Sequence, residues 1–427
     1  MDSNRTALHR ARVILAAMLL GATALGARAA EVIEFYNTSL DNYFITADAN
    51  EAAAVDSGGA GPGWVRTGDT FSEGGIDPVC RFYGSISPGP NSHFYTANVA
   101  ECDLLKQLQQ TTPATQKRWN FESLDFLTTA APVGFCPAGT VPVYRAYNNG
   151  VARGVDSNHR ITTSAAGIQE VVARGWVSEG VVLCGATAES VAAAEAFWEQ
   201  ARGVWTYGPA SNPVVLRIEA DGGYLQGTTT AAGAAHPGVE RGRLAFDAIA
   251  KHFNGVAVLD TDGTGGLSGR GDAIRTQTIA VEGGAIVVRE AGGAESFRMQ
   301  RVSTNMETLV GAWALETRES LATQHFVFFA NGRVMMIDPV GDVAEPGHTS
   351  CGGPGVELGT YTWNGATGTL TITGITIDTN GCAGLNEPPS PTVLFAPGDH
   401  SISGVELGNG GFTLSAPDNV VLVRLTP

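Results

Sequence analysis

Residues 35–51 read FYNTSLDNYFITADANE, and residues 82–101 read FYGSISPGPNSHFYTANVAE. A chain that writes Phe-Tyr, then an aromatic pair ahead of Thr and Ala, then Glu, and does so twice, is built from a recurring structural unit. One such unit is too small to bury its own aromatic residues, so its copies must pack on one another.

A third, weaker echo completes the pattern. Tyr36, Tyr83 and Tyr147 align in short β-like runs, followed by loops of different length. NYFIT, SHFYT and NHRIT then align Tyr43, His93 and His159, and also Thr46, Thr96 and Thr162. Asp48 with Glu51, and Asn98 with Glu101, have capping-box spacing, and Ser164 can cap a third helix whose apolar face carries Ile168, Val171 and Val172. Each helix is followed by Trp64, Trp119 or Trp176, with Phe71, Phe126 or Leu183 seven residues further on. That constant offset predicts a strand of fixed length. Each unit therefore reads β-β-α-β, and three stacked units form a pseudo-threefold module over residues 30–186.

The stretches EFYNTSLDNYFITADANE, CRFYGS…SHFYTANVAEC, VPVYRAYNNG…NHRITTS and RGWVSEG resemble the DUF5648 family of exported bacterial repeats. The resemblance covers residues 32–185. It implies an accessory module of unassigned activity, joined to varied partners. Tyr43 stands where the other two units carry His, which weakens a three-His site.

Beyond this module the pattern changes. Residues 187–202, around ESVAAAEAFWEQA, read as a helical linker. Two β units follow, over residues 203–304 and 305–427. GVWTYG matches GAWALE, RIEADGGYL matches VFFANGRVM, PGVERGRLAF matches PGVELGTYTW, and LDTDGTGGLS matches IDTNGCAGLN. Asp221-Gly222 and Asn331-Gly332 signal tight hairpins. A closed barrel or sandwich of such meanders hides its edges. The Gly-x-Trp start is similar to that of lipocalin-like barrels, an architecture that implies an interior lined from Trp205, Phe246, Trp313, Phe328 and Trp363. The overall fold class is thus α+β and mostly β: three β-β-α-β repeats, then two tandem antiparallel barrel units.

Residues 1–29 read as a cleaved secretory signal peptide: Arg5, Arg10 and Arg12 precede an apolar run, and Ala27-Arg28-Ala29 supplies the cleavage pattern. The expected location is secreted or periplasmic. The formal charge of −16 includes four Arg and one Asp in that segment, so the remainder carries −16 − 3 = −19. Such a balance disfavours nucleic acid as a partner, and no later apolar run is long enough to insert in a membrane.

Several constellations can carry chemistry. Asp260, Asp262 and Asp272 lie in DTDGTGGLSGRGD, an oxygen-rich loop suited to calcium, although Gly271 stands where an EF-hand needs Glu. A tight hairpin turn explains the same loop without an ion, and no other cofactor is indicated. Ser57 lies in a DSGG tetrapeptide but lacks a recognisable base and orienting acid. His93 and His159 occupy equivalent positions and can face a shared centre. The loops at residues 38–42, 85–92 and 149–158 offer Asn91, Asp156 and Asn158 to sugar hydroxyls, with Tyr43 and His93 at their edges for stacking on a sugar ring.

Two functional readings result. The first is an exported, non-catalytic, surface-associated protein that binds a glycan or a small apolar ligand. The alternative is a secreted glycosidase-like hydrolase whose carboxylate pair the sequence does not mark. An even cysteine count in an exported chain predicts disulfides. Non-reducing peptide mapping should find Cys80–Cys102, Cys136–Cys184 and Cys351–Cys382, each within one unit or spanning its ends. Each should contribute about 3–4 kcal/mol, and a bridge joining the two halves, such as Cys184 with Cys351, would defeat the division drawn here.

Overall fold

The structure is a computed structural model that describes residues 29–131, 134–231, 235–268, 275–315, 320–341, 353–380, 385, 400–415 and 421–425. It is mostly β, with antiparallel sheets and five α-helices among these residues.

The order β-β-α-β occurs first as β1 (Glu31–Asn37), β2 (Asn42–Thr46), α1 (Ala49–Asp56) and β3 (Trp64–Ser72). It recurs as β4 (Asp77–Tyr83), β5 (His93–Thr96), α2 (Val99–Thr111) and β6 (Asn120–Ala130). The third passage is β7 (Thr140–Tyr147), a single helical turn α3 (Gly150–Arg153), β8 (His159–Thr162), α4 (Ala165–Ala173) and β9 (Val177–Ala186). Their strands join one sheet, in which β7 pairs with both β8 and β9.

Side chains at matching positions meet in one core. Val32, Val79 and Val143 are fully buried; Ile45, Tyr95 and Ile161 are each 2% exposed; Phe71, Phe126 and Leu183 share the same cluster. Each second strand ends in a buried threonine whose Oγ1 accepts the N–H of the following helix cap: Thr46 from Asp48 (3.0 Å), Thr96 from Asn98 (3.0 Å), Thr162 from Ser164 (3.2 Å). The caps then accept from the first helical turn. Of the apolar stripe expected on α4, Ile168 and Val171 are buried, but Val172 is 40% exposed, because it lies off the narrow face that touches the sheet.

The capping-box glutamates are turned outward to arginines of the next unit. Arg81 donates to both oxygens of Glu51 at 2.7 Å, and Arg145 donates to both oxygens of Glu101 at 3.2 and 3.3 Å. Arg81 also lies over the Phe44 ring, and Arg145 over Phe94. At the third junction the charges are exchanged. Glu34 occupies the position of Arg81 and Arg145, and Arg160 reaches it from β8 at 3.0 and 3.1 Å while lying over Tyr43. Here the helix carries Gly167 in place of glutamate, and a Cβ there would sit 2.8 Å from the guanidinium.

α5 (Ala188–Ala201) is no free spacer. Its Phe197, Trp198 and Ala201 plug the core of the first β unit. That unit comprises β10 (Gly203–Tyr207), β11 (Val214–Ile218), β12 (Gly223–Thr228), β13 (Gly238–Phe246), β14 (Phe253–Asp260), β15 (Thr278–Glu282), β16 (Ala285–Arg289) and β17 (Glu295–Arg301). The sheet runs from β14 through β10 to β15, and its two edges meet where Ile279 N donates to Lys251 O (3.0 Å) and His252 bridges Thr278. Trp205 and Phe246 pack into its filled interior. In both hairpins read from Asp-Gly and Asn-Gly, only Gly222 (φ 81°) and Gly332 (φ 79°) take positive φ, so the turns are longer than a two-residue loop with both residues left-handed.

The second unit comprises β18 (Gly311–Leu315), β19 (His325–Phe328), β20 (Arg333–Asp338), β21 (Gly355–Asn364), β22 (Thr369–Asp378), β23 (His400–Ile402), β24 (Glu406–Gly408), β25 (Thr413–Ser415) and β26 (Val421–Leu425). Trp313 and Phe328 lie in its core, with Trp363 packed against them. The two β units share a buried apolar contact that includes Val215, Leu225, Met335 and Ile337. At that contact His325 is held neutral by burial and by the neighbouring Arg217, its pKa lowered to about 3, so Nε2 accepts from Arg217 at 2.5 Å while Nδ1 donates to Thr323 O. The repeat module touches the first β unit through Arg243–Glu73 (2.9 Å) and Arg275–Asp77.

Cys80–Cys102 and Cys136–Cys184 are bonded as the sequence predicts, whereas Cys351 and Cys382 lie outside the described residues, as does the signal segment through residue 28. The exchanged junction supplies a stability test. Glu34 is 2% exposed and Arg160 5%, so Arg160→Ala strands a buried carboxylate and should cost about 3–5 kcal/mol in denaturant unfolding. Glu34→Arg with Arg160→Phe and Gly167→Glu rebuilds the pairing of the other junctions and should recover part of that loss.

Candidate functional site

The three loops named from the sequence converge, because each second strand is tied to the next unit. Asn42 Nδ2 donates to Asn91 O (2.9 Å), and Ser92 Oγ donates to Ser157 O (2.7 Å). Asn158 closes the circuit: it accepts from Tyr43 N (2.9 Å) and donates to Tyr43 O (3.0 Å). The polar side chains proposed for sugar contact are therefore largely engaged by the protein. Asn158 is fully buried. Asp156 accepts from Lys117 Nζ (2.6 Å) and from Asn91 N (3.0 Å), and the lysine holds its carboxyl below the usual range. Asn91 Oδ1 accepts from the Tyr83 hydroxyl at 2.8 Å.

The histidines sit in separate junctions. His93 packs on Tyr83 and Phe44, with Nε2 3.4 Å from Glu122. His159 stacks on Tyr147 and meets Phe94 edge-on. Burial, with Arg145 nearby, lowers His159 to about 3, so it is neutral at ordinary pH. Tyr43 is 6% exposed and meets Trp176 edge-on.

Two open grooves flank this region. One, of about 410 Å³, is lined by Pro90, Lys117, Arg118, Trp119, Val151 and Val155, and so combines two of the three loops. The other, of about 500 Å³, lies at the exchanged junction and includes Tyr36, Tyr43, Asp69, Arg160, Glu170 and Arg174.

A second arrangement lies in the first β unit. Glu240, Asp260 and Asp262 bring one carboxylate oxygen each to within 4.8 Å of one another. Glu240 and Asp262 are fully buried, while Asp260 is exposed. Glu240 is held by Tyr224 Oη, by Leu267 N (3.2 Å) and by Ser268 N and Oγ. Asp260 Oδ1 accepts from Asp262 N and Gly263 N. Both oxygens of Asp262 lack a hydrogen-bond partner. A Cβ on Gly266 would overlap Glu240 Oε2 and sit 2.8 Å from Asp262 Oδ1, so only glycine lets the loop close over the acids. The sequence marked Asp260 and Asp262 but not Glu240, which stands twenty positions before Asp260; the signal available was its match to Glu357 in the second copy. Asp272 lies outside the described residues.

Residues 31–186 match the family model described as domain of unknown function DUF5648. No curated protein matches the chain.

Burial, reinforced by Glu240 and Asp260, pushes the Asp262 carboxyl up to about 8. The unfolded carboxyl titrates near 4. Between those values the folded state holds the extra proton, so in chelator stability should fall as pH rises from about 4 to about 8. Asp262→Asn should flatten that slope, and urea unfolding across the pH range measures it.

Proposed function

We propose that this is an exported, non-catalytic binding protein whose repeat module recognises a surface glycan, with the two β units as its supporting body. In this reading the three β-β-α-β passages form a pseudo-threefold ring and the two β units are tandem barrels. Export is supported by the signal-like leader and by disulfides. No helix among the described residues is long and apolar enough to cross a membrane.

The observation that carries the reading is the groove between the second and third units. Trp119 offers an aromatic face, and Pro90, Val151 and Val155 offer apolar edges. Lys117, whose ammonium has donors beyond the one given to Asp156, stands at the rim, while Arg118 is held by Asn120, Gln109 O and Thr112 O. That mixture suits a sugar, whose ring presents C–H groups on its faces and hydroxyls around its edge. Val151 is 82% exposed, on a segment set by loop hydrogen bonds rather than by core packing. The Asn and Asp side chains of the loops then act as scaffold, and the groove lining supplies the contacts. The glycosidase alternative needs two carboxylates that reach a substrate. Glu240 and Asp262, the acids brought together in the first β unit, are themselves fully buried and out of reach of a sugar chain, which favours the binding reading.

A glycan array with the full mature chain provides the test. Val151→Glu with Lys117→Ala should lower binding at least about tenfold, the loss of roughly one good contact. The control, Val258→Glu, changes a residue 76% exposed on the first β unit and should leave binding unchanged. Absence of binding to any glycan, or equal binding by both variants, would leave the module as a spacer.

A further inference from the structure

The duplicated β units act as an internal comparison for the buried acids. Glu240 corresponds to Glu357, Asp260 to Asp378, and the loop glycine and leucine after them also correspond. Both glutamates accept the same backbone donor, Leu267 N in the first unit and Leu385 N (3.0 Å) in the second. The surroundings differ. Asn380 replaces Asp262; with its amide assigned so that the nitrogen faces the acids, it donates to Glu357 Oε1 (3.1 Å) and Asp378 Oδ1 (3.2 Å), while Glu357 Oε2 keeps no partner. Across the strand pair, Glu357 faces Met336 and Glu240 faces Gln226. The second copy thus bridges two carboxylates with an amide and packs an apolar side chain beside them.

The first copy has no such bridge. A carboxylate stands where the amide would be, fully buried, with both oxygens unpartnered. Gln226, 1% exposed, also leaves Oε1 without a partner, its orientation set by Nε2 donating to Gly265 O (3.3 Å). Three acids and an amide oxygen, with no basic side chain paired to them among the described residues, lack the N–H groups that the second copy supplies. Burying such oxygens unpaired is costly.

We propose that Glu240, Asp260 and Asp262 form a binding site for one hard divalent cation, with calcium favoured over magnesium. The donors are all oxygen, which selects this class of ion. Ligands on opposite sides of calcium lie about 4.6–5.2 Å apart, and those of magnesium about 4.0–4.2 Å. The three acid oxygens all lie within 4.8 Å of one another, close enough to share one ion. Calcium is favoured because it accepts irregular oxygen cages, whereas magnesium demands a near-ideal octahedron and keeps several waters. Asp260 is exposed and opens the cluster to solvent. The ion would tie β13, the end of β14 and the loop through Ser268 together, replacing the Asn380 bridge of the second unit. This role lies outside the repeat module and is independent of the glycan reading.

Calcium chloride and magnesium chloride, titrated into chelator-stripped mature chain, are the probes, followed by calorimetry and thermal unfolding. One calcium per chain should bind, and at a hundredfold excess over Kd the melting temperature should rise by about 5 °C or more. Magnesium should bind at least about tenfold more weakly. Asp262→Asn imitates the second unit: it should lose calcium binding at this site while unfolding in chelator no earlier than the parent. Asn380→Asp, which imitates the first unit, should bring a second calcium. No binding by the parent in the millimolar range, or binding unchanged in Asp262→Asn, overturns the proposal; in the first case the buried acid is held by a proton alone.

Discussion

Three arginines close the junctions of the repeat module, and the rest of that module depends on them. Arg81, Arg145 and Arg160 each lie over an aromatic ring and face carboxylates of another unit. A guanidinium is the suitable group for this position. It stays charged, forks to both oxygens of a carboxylate, and is weakly enough hydrated to be buried against a ring. Arg145 and Arg160 are 7% and 5% exposed, so removing a partner is far costlier than removing a surface ion pair. The sheet supplies apolar burial, and the arginines determine which unit meets which. The exchange of Glu34 and Arg160 at one junction makes that contact between units unlike the other two, so it cannot be exchanged for either of them.

The same device recurs in the β units. Arg301 lies over Trp205 and donates to Arg202 O and Gln200 O; Arg424 lies over Trp313 and donates to Gly411 O, Val310 O and Thr308 O. Each indole N–H also finds a carbonyl four residues before it, Ala201 O or Leu309 O. One charged side chain from the last strand thereby satisfies the backbone at the end of each unit where the chain enters, and leaves the neighbouring part of the interior to apolar side chains. Charge in this protein is used for assembly more than for display, so recognition is left to side chains outside these circuits.

Differences between copies therefore carry more information than their agreement. Agreement reports packing: Val32, Val79 and Val143 match because one core needs three similar volumes. A departure must be compensated locally, as Gly167 makes room for Arg160, and as an amide at Asn380 can donate to Glu357 and Asp378 where the carboxylate of Asp262 offers its own neighbours no donor. Tyr43 in place of histidine follows the same logic, since its hydroxyl accepts from Arg174 (3.1 Å) at the exchanged junction.

Much of the architecture was legible in the residues alone. The seven-residue step from each tryptophan, the cap residues Asp48, Asn98 and Ser164, and the spacing of Cys80 with Cys102 and Cys136 with Cys184 report local geometry and short closures, and local geometry follows local spacing. Tertiary structure alone decided the partners. Asn158 bonds to Tyr43 across 115 positions, Arg160 finds Glu34 across 126, and Glu240 comes to lie against Asp262 through the bend of one hairpin. No periodicity encodes such meetings, because which oxygen a buried donor reaches depends on how distant segments approach after the apolar core has formed. A polar residue in a loop can equally face water or hold the loop together, and only the packed chain distinguishes the two.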